Sequence, residues 1–322
     1  RLLERFPPVP TYNDMISRDA SNDPLVPEAV SAQVIKELPK SSAVLQLARR
    51  AAMSTKSSRQ PVLSVLPTAY WVNGDTGLKQ TTREDWQNVT LVAEELAAIV
   101  PVPEAYIDDS QVPVWDEVRP SLTEAIGRAL DMAALFGVGK PATWPSDIYS
   151  GAVAAGNTQA PGTDLGQSVA YLSRAIAKDG FGVNGFATAP GFSWELMGFR
   201  NAQGNPIYIP DPTGEFAGRL YNRPTSEIEN GGWDATKASL LAGDWSKAIV
   251  GVRQDITFKV FTEGVISDDT GKVILNLMQQ DAVALRVVAR FGFAVANPAT
   301  ALNGNAATRW PFGVLNPVPA LS

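Results

Sequence analysis

The sequence predicts an α+β protein, on three observations. Residues 109–137 carry apolar side chains at three- and four-residue steps, the pattern of one long amphipathic helix. Residues 59–92 read as two strands around a polar tip, a long β-hairpin. Residues 248–295 alternate or run apolar over short spans, the pattern of strands late in the chain.

Composition sets the outer bounds. The 322 residues suffice for one elaborate domain or two. With 45% apolar and 19% charged residues, the chain is globular rather than disordered. No run resembles a membrane span, and Arg1, Glu4 and Arg5 break any signal-peptide pattern. The first residue is Arg1 rather than Met, as in a processed product or a chain with a leader upstream. There is no cysteine and no histidine. Disulfides, thiolate metal sites and cysteine nucleophiles are therefore excluded, along with the commonest general base and metal ligand. An active site is disfavoured before any motif is read. The net charge is −6, but residues 1–60 hold nine Lys/Arg against six Asp/Glu, which leaves −9 on the remainder. A mildly basic arm on an acidic body suits a polyanion or an acidic neighbour, and ordinary surface scatter would produce the same figures.

Taken in order, residues 1–25 are rich in Pro, Asn and Asp and show no period, yet carry Leu2, Leu3, Phe6 and Tyr12. They read as an extended arm ordered by lying on something else, or as a frayed terminus. Residues 26–38 and 41–53 are helix-like or mixed segments broken by Pro39, with Ser41 or Ser42 placed to cap the second. In the hairpin, the outgoing strand is residues 61–72 and the returning strand lies near 83–92. Asn73-Gly74 and Gly77 supply positive-φ positions at the tip. A hairpin this long exceeds what a compact core needs, so it is expected to reach outward; two ordinary strands of the main sheet are the alternative. Residues 91–102 continue inward, and Pro101 and Pro103 lead through 104–110 to the long helix.

That helix stacks Trp115, Val118, Leu122, Ala125, Ile126, Ala129, Ala133 and Phe136 on one face. Asp109 or Ser110 can cap its start, and Gly137 suits a left-handed stop. Pro120 costs roughly 3 kcal/mol inside a helix. It predicts a bend there, or a regular helix that begins there. Beyond Gly137 lies a loop-rich α/β region. Residues 167–180 form a second helix stopped by Gly180, and residues 183–199 give a strand, a turn and a short helix starting near Ser193 with Glu195 in its first turn. A turn and strand follow at 201–209. The late strands are 248–252, then 255–263 with Ile256, Phe258 and Val260 on one side, then 272–295 in three pieces, the first helix-like or strand-like. The end of the chain is Pro/Asn-rich and neutral, and no internal repeat is visible.

Chemistry is sparse. The adjacent acids Glu94-Glu95, Asp108-Asp109 and Asp268-Asp269 point apart on any regular element, so they read as solvated faces or caps. Residues 137–141, GVGKP, lack the spacing and preceding strand of a phosphate loop. No catalytic, cofactor-binding or metal-binding residue is assigned, and the chain is not expected to be an enzyme.

Five stretches carry a resemblance. They are LVPEAVSAQVIKELPKSSAVLQLARR; then AYWVNGD with TTREDWQNVTLVAEELAAIVPVPEAYIDDS; then residues 109–137 with GVGKP; then GFSWELMGFRNAQGNPIYI; and last LAGDWSKAIVGVRQDITFKV with ALRVVARFGFAV. In this order and spacing, over roughly residues 25–302, they resemble the major capsid proteins of tailed bacteriophages with the Hong Kong 97-type fold. Each motif alone is a loose apolar pattern; the five together are much more specific.

The resemblance implies a division of labour. Residues 1–25 would be an extended N-terminal arm, 26–58 a lead-in segment and 59–92 the extended loop. Residues 93–137 would be the peripheral domain with its spine helix, 138–251 the axial domain, 252–302 the peripheral-domain strands and 303–322 a C-terminal tail. It implies self-assembly as pentamers and hexamers into an icosahedral shell around double-stranded DNA, contacted non-specifically. Portal, scaffold or cementing proteins would be further partners, with no membrane partner and no cofactor. The location implied is the virion capsid, assembled in the host cytoplasm. Closed symmetry from one chain needs contacts that adapt to slightly different angles, which a hairpin and an arm can supply.

Some relatives join an extended-loop lysine to a neighbour's asparagine with a glutamate as base. Lys79 lies near the tip and Asn297 and Asn303 near the end of the late strands. The last glutamate, however, is Glu263, and no acid follows Asp281. The expectation is no autocatalytic cross-link, a shell held by non-covalent contacts and a cementing protein as a further hypothesis. The basic residues Arg1, Arg5 and Arg18 would soften repulsion if the arm met packaged DNA. The alternatives are a bacterial encapsulin-like nanocompartment shell protein, told apart by protein cargo, and a carboxylate-based α/β enzyme, told apart by a small oligomer that never closes.

Overall fold

The computed structural model describes residues 42–69, 71, 79, 81–110, 113–162, 164–197, 208–209 and 218–317, except the side chains of Met197, Tyr208 and Ile209. The readings for the arm, for most of the lead-in segment, for the hairpin tip around Asn73-Gly74 and Gly77, and for the turn at 201–207 lie outside the described residues.

The chain opens with helix α1 (Ala43–Leu47) and strand β1 (Arg49–Ala52). Ser42 caps α1, its Oγ accepting from Leu45 N at 3.2 Å. Of the two readings for residues 41–53, helix-like or mixed, the structure has the mixed one, part helix and part strand. Strands β2 (Ser57–Val65) and β3 (Asp85–Val92) form the expected hairpin, and β4 (Glu94–Pro103), α2 (Glu104–Asp109) and α3 (Val114–Phe136) follow. After α3 come α4 (Ile148–Ala155), β5 (Thr158–Gln159), α5 (Leu165–Lys178), β6 (Gly185–Thr188), α6 (Phe192–Met197), β7 (Tyr208–Ile209), β8 (Gly218–Leu220), β9 (Arg223–Glu227) and β10 (Leu240–Gly243). The chain continues with β11 (Ala248–Phe261), β12 (Val265–Ser267), β13 (Val273–Asn276), β14 (Ala282–Val295) and β15 (Phe312–Leu315).

Four expectations are corrected. The long helix does not start at Asp109 or Ser110: α2 ends there, with Ser110 as its C-cap, and α3 begins at Val114. Pro113 stands just before the first residue of α3, where its fixed φ suits the opening of a helix; its carbonyl accepts from Asp116 N at 3.0 Å. Pro120 neither starts nor ends the helix, which runs through it. Its missing N–H deprives only the carbonyl of exposed Asp116, which water can satisfy. The late strand pieces fuse into two 14-residue strands, β11 and β14. Finally, part of the stretch read as a tail is a strand: β15 is buried along its length.

The chain folds as two compact units. One comprises the described residues within Glu95–Ile126 and Gln254–Arg290, the other those within Lys40–Glu94, Gly127–Arg253 and Phe291–Ser322. In the second unit a seven-stranded mixed sheet runs in the order β5-β15-β10-β6-β9-β8-β7. Helix α5 buries Leu165, Val169, Leu172 and Ile176 against it, with Phe181, Phe186 and Leu240 in the same core. Asp164 caps α5, and Gly180 (φ +87°) follows its end as expected. Helix α4 approaches the last strand closely: a Cβ on Gly151 would lie 2.3 Å from the Trp310 ring. In the first unit, Val102, Tyr106 and Val114 form one small core and Leu275, Leu277, Ala282 and Ala284 another. A four-stranded sheet has the order β1-β11-β14-β4.

Candidate assembly surface

The hairpin is a separate two-stranded sheet, β2 against β3, rather than part of the main sheets. Its register pairs Ser57 with Val92, Arg59 with Thr90 and Leu63 with Trp86. A lone hairpin is marginal in water, so this one needs an anchor. The anchor is at its base, where Leu91, Val62 and Val89 pack with Met53, Ile249, Ala294 and Ala296. Two backbone bonds pin the same end: Ala93 N donates to Lys56 O at 2.7 Å and Ala299 N to Leu63 O at 2.8 Å. Trp86, opposite Leu63, is exposed, as is Val65, and Trp71 is fully so. Large aromatics are among the side chains that gain most from burial, and their exposure together on one projection marks a contact surface.

The start of the second unit hangs on a buried acid that the sequence reading did not single out. Asp131, on α3, is fully buried. It accepts from Ser42 Oγ at 2.5 Å, Val44 N at 3.0 Å, Ala43 N at 3.1 Å and Asn230 Nδ2 at 2.6 Å. The carboxylate therefore occupies the N-terminus of α1 and ties the 230 turn to it. Gly127, one turn earlier, lets Ser42 approach: an added Cβ would sit 3.3 Å from Ser42 N. Burial pushes the Asp131 carboxyl above its usual range, against the pull of the four hydrogen bonds. The available signal was one acid inside the apolar run ALDMAALF. At the C-terminus of α3, Lys237 Nζ donates to Phe136 O at 3.2 Å, a cation at the last carbonyls.

The adjacent acids go separate ways. Glu94 accepts from Thr143 Oγ1 at 2.9 Å and faces Lys56 at 3.7 Å, while Glu95 binds Arg290 at 2.8 Å. Asp268 closes its own turn, accepting from Thr270 N, Thr270 Oγ1 and Lys272 N. These bonds, the Thr270 hydroxyl foremost, hold its carboxyl below the usual range. In GVGKP, Gly137 (φ +70°) ends α3, and Lys140 Nζ donates to Pro145 O at 2.7 Å, folded back on its own loop. Among the described residues no three His, Cys, Asp or Glu side chains form a metal-binding group, and no helix is long and apolar enough to cross a membrane.

Lys79 is exposed. Asn297 and Asn303 are tied inward. Asn297 Nδ2 donates to Arg309 O at 2.8 Å and its Oδ1 accepts from Arg309 Nε at 2.9 Å. Asn303 Nδ2 donates to Asp179 Oδ1 at 2.8 Å. Asp179 lies far upstream of both asparagines in sequence and comes from the end of α5. Its other oxygen accepts from Asn157 Nδ2 at 2.8 Å and Trp310 N at 3.2 Å. Arg309 is buried, which lowers its pKa, while the charge of Asp179 acts the other way.

A sequence profile described as the phage capsid family matches residues 22–304. The chain belongs to the phage capsid family. As a phage capsid protein it is a structural protein, with the α+β Hong Kong 97-type fold that the resemblance implied. The major capsid protein of Staphylococcus phage 80alpha is 22% identical over 295 residues, covering 88% of this chain and 86% of that one. A solved structure from Microbacterium phage Oxtober96 is 38% identical with a TM-score of 0.78, over 91% of this chain and 97% of that one. One from Mycobacterium phage Cain is 32% identical with a TM-score of 0.79, over 92% and 97%. The capsid of an empty GTA particle, computed with C5 symmetry, shares the fold at 16% identity and a TM-score of 0.61, over 91% and 94%.

Proposed function

We propose that this capsid protein is the major shell subunit of a tailed double-stranded DNA phage, closing as pentamers and hexamers into an icosahedral shell around the genome. The observation that carries this reading is the hairpin: anchored through Val62, Val89 and Leu91, it presents Trp71 and Trp86 to solvent in a chain whose family builds shells. Residues 59–92 are the reaching element and 138–251 the axial domain around the five-fold and quasi-six-fold axes. Residues 93–137 and 252–302 form the peripheral domain, and the arm of 1–25 lies across neighbours. The shell assembles in the host cytoplasm and encloses DNA through non-specific phosphate contact. Its contacts are non-covalent, because the carboxamides of Asn297 and Asn303 are engaged in internal hydrogen bonds. A cementing protein is the partner this arrangement would favour.

Electron microscopy of the purified protein, read with its ultraviolet absorbance ratio, tests the proposal. Closed shells that contain DNA when taken from a lysate are the expected result. Shells filled with protein cargo would replace the phage with a nanocompartment, and a small oligomer that never closes would overturn the reading.

A further inference from the structure

A cleft of about 200 Å³ opens at the base of the hairpin. Val62 and Leu63 from β2 and Ile249 from β11 give it an apolar wall, and Gln60, Arg49 and Lys247 line it with polar groups. No acidic side chain lines it. Among the described residues neither cation has an acid within ion-pair distance. Asp244, the nearest acid in sequence to Lys247, has its Oδ1 filled by Asn184 Nδ2, Ser246 N and Ser246 Oγ. The surrounding chain is cationic as well: Arg49, Arg50, Lys56 and Arg59 fall within residues 41–74, which contain no acid. A half-buried Lys247 and an exposed Arg49, neither with a counter-charge among the described residues, stand beside apolar wall atoms and form an incomplete site.

An apolar wall with a cationic edge fits an acidic turn flanked by apolar side chains. The chain displays one such turn on its own described surface, the tip of the β12–β13 hairpin. Asp268 and Asp269 sit at that tip, Asp269 exposed and with no partner among the described residues. Val273, the first residue of β13 beside the tip, is 55% exposed, and Val265, at the other end of the same short hairpin opposite Asn276, is 54% exposed. The hydrogen bonds Asp268 accepts from Thr270 and Lys272 preform the turn, so docking needs little reordering. A phosphate would use the two cations but leave the wall of Val62, Leu63 and Ile249 uncovered; the turn uses both.

We propose that the acidic β12–β13 tip of one copy seats in the cationic cleft at the hairpin base of a second copy. This rests on the reading that copies of the chain assemble into a shell.

Lys247→Glu tests it, since it sets like charges face to face. Shell yield, read by sedimentation and microscopy, is expected to fall by at least about tenfold, while the melting curve of the free subunit is unchanged. Adding Asp269→Lys to the same chain is expected to restore the yield. A second measurement does not depend on yield. Because the chain has no cysteine, Gln60→Cys with Asp269→Cys creates its only thiol pair. Oxidation is expected to link copies into multimers on a denaturing gel. Four results would overturn the proposal: undiminished assembly of Lys247→Glu, no rescue by Asp269→Lys, a disulfide closed within one chain, or lost DNA content with shell yield intact, which would assign the cleft to phosphate. Linked copies in a protein that never closes shells would keep this contact and overturn only the shell.

Discussion

Replacing Asp131 with alanine should unfasten the start of the second unit from α3. The change orphans two backbone N–H groups, of Ala43 and Val44, and the Asn230 amide, all buried. Ser42 Oγ loses its acceptor but still accepts from Leu45 N. Each stranded buried donor costs about 1–3 kcal/mol, and removing a desolvated charge returns part of that. The net expected loss is about 3–5 kcal/mol. Urea unfolding of the dissociated subunit, followed by circular dichroism, measures it. Amide exchange should in addition show Ala43 and Val44 losing protection before the rest of the unit. A loss below about 1 kcal/mol, or intact protection at those two amides, would refute the reasoning that this carboxylate holds the α1 terminus.

The same residue sets a pH dependence. Burial raises the folded carboxyl above 3.8, so between 3.8 and that raised value the folded state binds the proton more tightly than the unfolded chain. Stability of the wild type relative to Asp131→Asn, which cannot charge, should therefore decline as pH rises through this window; a flat difference would count against it. Trp86→Ala should leave the subunit's unfolding free energy within about 0.5 kcal/mol, because the ring is 63% exposed, yet should cut shell yield; equal yield would remove Trp86 from the contact surface. Gly151→Ala forces a methyl 2.3 Å from the Trp310 ring and should cost about 1–3 kcal/mol, seen as a lowered melting temperature. Shells boiled in detergent should run as a single monomer band, and a ladder would restore the covalent reading for Lys79 and an asparagine.

Local signals in the sequence were enough for much of the fold. Side-chain periodicity determined α3, α5 and the hairpin strands, because the faces of a helix or strand are set by spacing along the chain. Glycine determined the stops at Gly137 and Gly180, where positive φ is sterically cheap. Missing histidine and cysteine narrowed the chemistry, and five loose patterns in order pointed to the capsid family. Boundaries near proline were less legible, since α3 begins just after Pro113 yet runs through Pro120, and only the surrounding packing and water distinguish them. Residues 303–322 looked like a tail because four-residue β15 carries too little pattern to announce itself; it is a strand because β10 and β5 supply its hydrogen bonds. Asp131 and Asp179 were ordinary acids in the sequence. Their partners lie 89 residues away at Ser42 and 124 at Asn303, so burial and hydrogen bonding become visible only when distant segments meet. The cationic cleft likewise combines Arg49 with Lys247, a juxtaposition that no spacing encodes and only the tertiary structure decides.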